Sequence, residues 1–105
     1  MNNLTKDNFD STISNGIALV DFWAGWCGYC RMMKPVIEEL ARNYEGVIKV
    51  ADVNVDSEAE LAERFGVTTL PTFVVFNDGK EVDRKEGFVQ MEVLEEMLGV
   101  SKFHM

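Results

Sequence analysis

Cys27 and Cys30 are the only cysteines in this chain of 105 residues, and both sit in Trp26-Cys27-Gly28-Tyr29-Cys30. A pair so spaced can contribute to a metal site, pack as passive thiols or a small staple, or exchange electrons with another disulfide. Zinc and iron–sulfur centres commonly take four protein ligands. Here there is no third cysteine, and the single histidine, His104, stands beside the C-terminus. A metal site would need a second copy of the chain, so no metal is expected. A packed thiol pair fits poorly with Gly25, Gly28 and Tyr29 around it, which are loop residues. Redox exchange gives each feature a reason. The attacking species is a thiolate, and the first turn of a helix favours it through unpaired N–H groups and the positive dipole end. Cys27 is expected at or just before a helix start as the exposed nucleophile. Cys30, one turn later and deeper, is the resolving thiol.

The elements needed to position this pair can be read on either side of it. Ile17 to Trp23, "IALVDFW", is the nearly continuous apolar run of a strand covered on both faces. After Cys30, residues Met33, Val36, Ile37, Leu40, Ala41 and Tyr44 recur at steps of three and four. That spacing predicts a long amphipathic helix ending near Gly46, with Pro35 kinking it. Further along, "VIKVADVNV" is a second buried strand, and Ser57-Glu58-Ala59-Glu60 has a capping-box pattern before a helix carrying Leu61, Ala62 and Phe65. Thr72–Phe76 and Lys80–Glu86 flank Asn77-Asp78-Gly79, the signal of an antiparallel hairpin whose second, Lys-bearing strand suits a sheet edge. A first helix is expected from Lys6 to Ser14, and a last one carries Val93, Leu94, Met97 and Leu98 up to Gly99. A short strand before the first helix completes the list. The order predicts an α/β fold with a central mixed β-sheet flanked by helices on both faces, as one domain over 1–105. The cysteines fall at a strand-to-helix junction, where open α/β sheets collect their chemistry.

The formal charge of −8 argues against nucleic acid or anionic membrane as a partner, since phosphate binding rests on clustered cations. The start, "MNNLTKDNFD", lacks the basic and apolar regions of a secretory signal. No apolar run approaches the roughly 20 residues of a membrane span. A cytoplasmic protein is expected, the alternative being a secreted one already trimmed. In a reducing compartment a passive disulfide is disfavoured, which adds weight to a catalytic dithiol.

With these residues assembled, the chain resembles the thioredoxin family over nearly its whole length. "LVDFWAGWCGYCRMMKP" resembles the family's buried strand, Trp-Cys-Gly-X-Cys and proline-bearing helix. "TLPTFVVFNDGK" resembles its second signature, and Gly87 falls at the family's glycine after the last strand. The resemblance implies the thioredoxin fold and a protein-disulfide reductase recharged by a thioredoxin reductase. Its substrates would be diverse disulfide-containing proteins, and it would act as a monomer. No cofactor is implied beyond a reversible Cys27–Cys30 disulfide. Cys27, Cys30 and Asp21 would be catalytic, Asp21 as the buried acid that takes and returns the proton of Cys30. Pro71 would follow a cis peptide, with Leu70 offering its backbone to the substrate strand. Trp26, Gly28, Tyr29, Leu70, Pro71 and Gly87 would form the substrate-binding surface.

Two positions depart from the family pattern. Asp52 stands where a lysine beside the buried acid is common; it either faces Asp21, raising the apparent pKa of the pair, or turns to solvent. Tyr29 stands where proline is usual, and its N–H is expected to bond a Cys27 thiolate and make the disulfide more oxidising. Gly-Tyr also mixes in a habit of glutaredoxins, which keeps a glutaredoxin-like or more oxidising exchange protein as an alternative. An oxidase or isomerase of secreted proteins is disfavoured by the missing signal, inserted helical domain and intervening histidine. A thioredoxin-fold interaction module is disfavoured by the intact Cys27, Cys30, Asp21 and Pro71. The tail "KFHM" is expected to be frayed.

Overall fold

The computed structural model describes residues 2–100; the expectation for the tail lies outside them. The elements are β1 (Asn2–Asn3), α1 (Phe9–Ile13), β2 (Ile17–Trp23), α2 (Gly28–Asn43), β3 (Lys49–Asn54), α3 (Ala59–Arg64), β4 (Thr72–Asn77), β5 (Lys80–Glu86) and α4 (Met91–Leu98). They build one sheet in the order β1-β3-β2-β4-β5. Strand β2 is central, parallel to β3 and antiparallel to β4. This is the mixed sheet with helices on both faces that the element order predicts.

Because side chains alternate across a strand, β2 supplies two cores at once. Leu19 joins Phe73 and Val75 of β4 beneath α2 and α4, which contribute Met33, Ile37, Leu40, Leu94 and Leu98. Ala18, Val20 and Phe22 point the other way, onto Phe9 and Ile13 of α1 and Leu61 of α3. On that second face Phe9, Phe65 and Phe76 pack ring to ring, with centroids 5.1 to 5.7 Å apart. Arg64 closes the cluster by pairing with Asp10 at 2.7 Å and lying 4.9 Å from the Phe65 ring centroid.

The hairpin turn is made as expected, with positive φ at both Asp78 (51°) and Gly79 (86°), and polar β5 forms a sheet edge. Helix α4 stops at Gly99 in the left-handed conformation. Two helix starts differ from expectation. Helix α1 begins at Phe9 rather than near Lys6, because Asn8 Oδ1 accepts the Thr5 N–H at 2.8 Å and closes a local turn first. The capping box at Ser57 does not form. Glu58 holds the N-cap position of α3, its carboxylate accepts the Lys6 N–H at 3.0 Å, and Ser57 Oγ donates to Asn54 O at 3.3 Å. The exit from β3 is organised around Asn54 instead, whose Oδ1 accepts the Asp56 N–H at 2.9 Å.

Ile37, fully buried between α2 and the sheet, should cost about 3 kcal/mol of stability when changed to Ala, read as a lowered urea midpoint. Val82→Ala on the exposed edge strand should shift the same midpoint by less than about 0.5 kcal/mol equivalent.

Candidate active site

Strand β2 ends at Trp23, and the chain turns through Ala24, Gly25 and Trp26 before α2 begins. Cys27 occupies the N-cap of α2 with extended backbone angles (φ −89°, ψ 117°). Its N–H donates to Ala24 O at 3.2 Å, closing the loop, and Arg31 Nη1 donates to Gly25 O at 2.8 Å, clamping it from the helix side. Cys27 Sγ accepts the backbone N–H of Cys30 at 3.2 Å, as N-cap side chains do. The two thiols are unbridged in this structure.

Two expectations change here. The donor reaching Cys27 Sγ is the N–H of Cys30, not that of Tyr29. A cap side chain spans to the third helical residue in this geometry, so a proline at position 29 would leave the bond in place. Nor is Cys27 an exposed side chain: it is 7% accessible and Cys30 5%. Folding the sulfur back over the helix end brings it to the donor and takes most of it out of solvent. What distinguishes the cysteines is environment. Burial, the hydrogen bond with Cys27 and the nearby charges of Cys27 and Asp21 push the Cys30 thiol up to about 12, a backbone hydrogen bond with Ala24 working against them.

Asp21 follows Leu19 at strand spacing, so it projects under α2 rather than toward α1 and α3. Its register partner on β3 is Asp52. Both carboxylates, Cys30, Arg31 and Lys34 line one cleft of about 360 Å³ together with Asn3 and Trp23. Of the two possibilities for Asp52, the one facing Asp21 is found. Asp52 Oδ1 is held by Asn3 Nδ2 at 2.7 Å and Trp23 Nε1 at 3.0 Å. Asp21 is 5% accessible, and its Oδ1 has no hydrogen-bond partner. Burial chiefly, and the Asp52 charge in addition, raise its pKa to about 7.

The expected substrate-binding residues fall into connected sets. Trp26, 70% exposed, donates its indole N–H to Asp56 at 3.1 Å and shares an apolar groove with Leu70, Val55, Ala59, Ala62 and Val67. The Leu70–Pro71 peptide is cis, and Gly87, at φ 81°, donates its N–H to Pro71 O at 2.8 Å. Gly28 opens α2, and Tyr29 beside it is 58% exposed. Sequence reasoning did not name Asn3, Trp23, Arg31 or Lys34 as cleft residues, nor Asp56 as the indole's acceptor. Trp23 lies two residues from Asp21 on a strand, and Lys34 four from Cys30 on a helix, so both were findable by periodicity. Asn3 carried no such signal.

The Thioredoxin family model matches residues 1–99. The chain belongs to the thioredoxin family. It is 46% identical over 95 residues to the thioredoxin of Staphylococcus haemolyticus, covering 90% of this chain and 91% of that one. The thioredoxins of Staphylococcus saprophyticus and Staphylococcus aureus are each 45% identical over the same shares. The Cys27–Cys30 dithiol is accordingly that of a thiol–disulfide oxidoreductase, a protein-disulfide reductase acting by thiol–disulfide exchange. Membership implies a thioredoxin reductase and disulfide-bearing proteins as partners. Among the described residues, no group of three or more His, Cys, Asp or Glu side chains could hold a metal, and no helix is long and apolar enough to cross a membrane.

A carboxyl that titrates near 7 when folded and near 3.8 when unfolded keeps its proton in the folded chain over the interval between. Folding is favoured most where both states hold the proton, below pH 4, and this contribution is lost as pH rises through 7. Relative to Asp21→Asn, wild type should therefore lose up to about 4 kcal/mol between pH 4 and pH 8. Urea unfolding of both proteins at the two pH values measures it; parallel behaviour would mean Asp21 is not a buried titrating acid.

Proposed function

We propose that Cys27 is the nucleophile and Cys30 the resolving thiol of a cytoplasmic, monomeric reductase formed by a single domain and needing no bound cofactor. Cys27 thiolate attacks a substrate disulfide, forming one S–S bond and releasing the first substrate thiolate. Cys30 then attacks the Cys27 sulfur of the mixed disulfide. Its thiol proton passes to the Asp21 carboxylate, the second substrate thiolate departs, and the Cys27–Cys30 disulfide holds the two electrons' worth of oxidation. A thioredoxin reductase returns two electrons and restores both thiols.

The observation that carries the order of attack is the inequality of the two sulfurs. One caps α2 and accepts its N–H. The other is held in its protonated form by burial first, then by its hydrogen bond with Cys27 and the nearby charges of Cys27 and Asp21. A thiol kept protonated is a poor first attacker but a suitable second one, once an adjacent base relieves it. Trp26 and Leu70 in their groove, with Pro71 and Gly87 hydrogen-bonded beside Leu70, support a docking surface in which an extended substrate segment adds to the backbone of Leu70. Gly28 and Tyr29 would border it at the start of α2.

Cys30→Ser should accumulate mixed disulfides on Cys27 when incubated with oxidised insulin, whereas Cys27→Ser should accumulate none, as read by mass spectrometry without reductant. Trapping on Cys30 in place of Cys27 would reverse the assignment. Wild type should accelerate insulin reduction by dithiothreitol at least tenfold over background; no acceleration would leave only an interaction module.

A further inference from the structure

The acid cleft contains two carboxylates side by side and, on the helix above them, two cations. Arg31 is already committed: its Nη1 donates to Gly25 O at 2.8 Å. Lys34 lies on the same cleft wall, one helical turn beyond Cys30, and has no hydrogen bond or ion pair among the described residues. Asp52 is fixed through its Oδ1 by Asn3 and Trp23, while Asp21 Oδ1 is buried and unpartnered, facing the same space. The charged and titratable groups around Asp21 are thus Asp52 from β3 and Cys30, Arg31 and Lys34 from α2; β4 offers Phe73 opposite it, and β1 the neutral Asn3.

We propose that Lys34 is a positioning residue for the proton transfer, its ammonium supplying the mobile positive charge that makes a second carboxylate tolerable in the cleft each time Asp21 gives up its proton. This inference rests on the reading of Asp21 as the proton acceptor of Cys30. With Asp21 protonated, Lys34 balances Asp52 alone. Before Cys30 attacks, Asp21 must be ionised, and the cleft then holds two adjacent negative charges. A lysine stem of four methylenes lets one ammonium move toward the buried oxygen without displacing α2. Arg31, pinned to the loop that carries the cysteines, has no such freedom. Lys34 touches no reacting atom in this account; it sets how readily the base is available.

The test follows the Asp21 carboxyl by carbon-13 NMR titration in wild type, Lys34→Gln, Lys34→Arg, Asp52→Asn and the Lys34→Gln/Asp52→Asn double variant. Lys34→Gln should raise the Asp21 midpoint by about half a pH unit, Lys34→Arg should restore it, and Asp52→Asn should lower it. In the double variant the effect of Lys34→Gln should persist, since the ammonium then has Asp21 as the one ionisable carboxyl of the cleft to balance. The pH profile of insulin reduction at limiting substrate should move in step with the midpoint. An unmoved midpoint in Lys34→Gln overturns the proposal. Asp21→Asn separates the underlying reading: wild-type turnover and pH profile in that variant would overturn Asp21 as proton acceptor, whatever Lys34 does to the titration.

Discussion

A carboxyl group sealed between the central strand and the longest helix is the constraint around which this molecule is arranged. Asp21 cannot be moved to solvent without changing strand register, because a shift of one residue would turn Leu19 out of its core and Phe22 out of the other. Nor can α2 lift away, because Met33, Ile37 and Leu40 pack on the same sheet face. The two apolar cores thus hold an ionisable group where water would otherwise solvate it. The energetic penalty of that burial is what gives the acid a proton affinity near neutral pH. Near neutral pH and above, that penalty works against folding, and the cores on both faces must outweigh it.

The dithiol depends on the same arrangement from the other side. The turn from β2 into α2 leaves Cys27 at a helix end and carries Cys30 down onto the acid. One turn of helix is therefore enough to give two chemically identical thiols different surroundings. The loop is tied by Cys27 N–H to Ala24 O and by Arg31 to Gly25 O, so the difference is a property of a rigid frame.

Much of this was legible in the residues. Apolar runs and steps of three and four located β2, α2 and the hairpin, because a strand or helix that covers a core has to repeat its apolar residues with its own geometric period. The cysteine pair and Asp21 were legible because each breaks the local pattern, thiols in a loop and an acid in an apolar run, whereas Pro71 was reached through the family resemblance alone. What escaped was decided by competition between neighbouring polar groups. Asn8 turned to Thr5, Glu58 took the cap from Ser57, and Cys30 rather than Tyr29 donated to the sulfur. These choices differ by one hydrogen bond each, and spacing alone does not rank them. The orientation of Asp52 was settled by Asn3 and Trp23, one of them forty-nine positions away in the chain.

That last contact links the fold's smallest element to its chemistry. Strand β1 is only two residues long and contributes little to either core, yet Asn3 holds one of the two carboxylates in place. The first strand is then less a structural rib than an adjusting screw on the acid pair. Whatever draws it off β3, a crowding partner or an appended segment, would free Asp52 from Asn3 and shift the charge beside Asp21 while leaving the packed interior as it was.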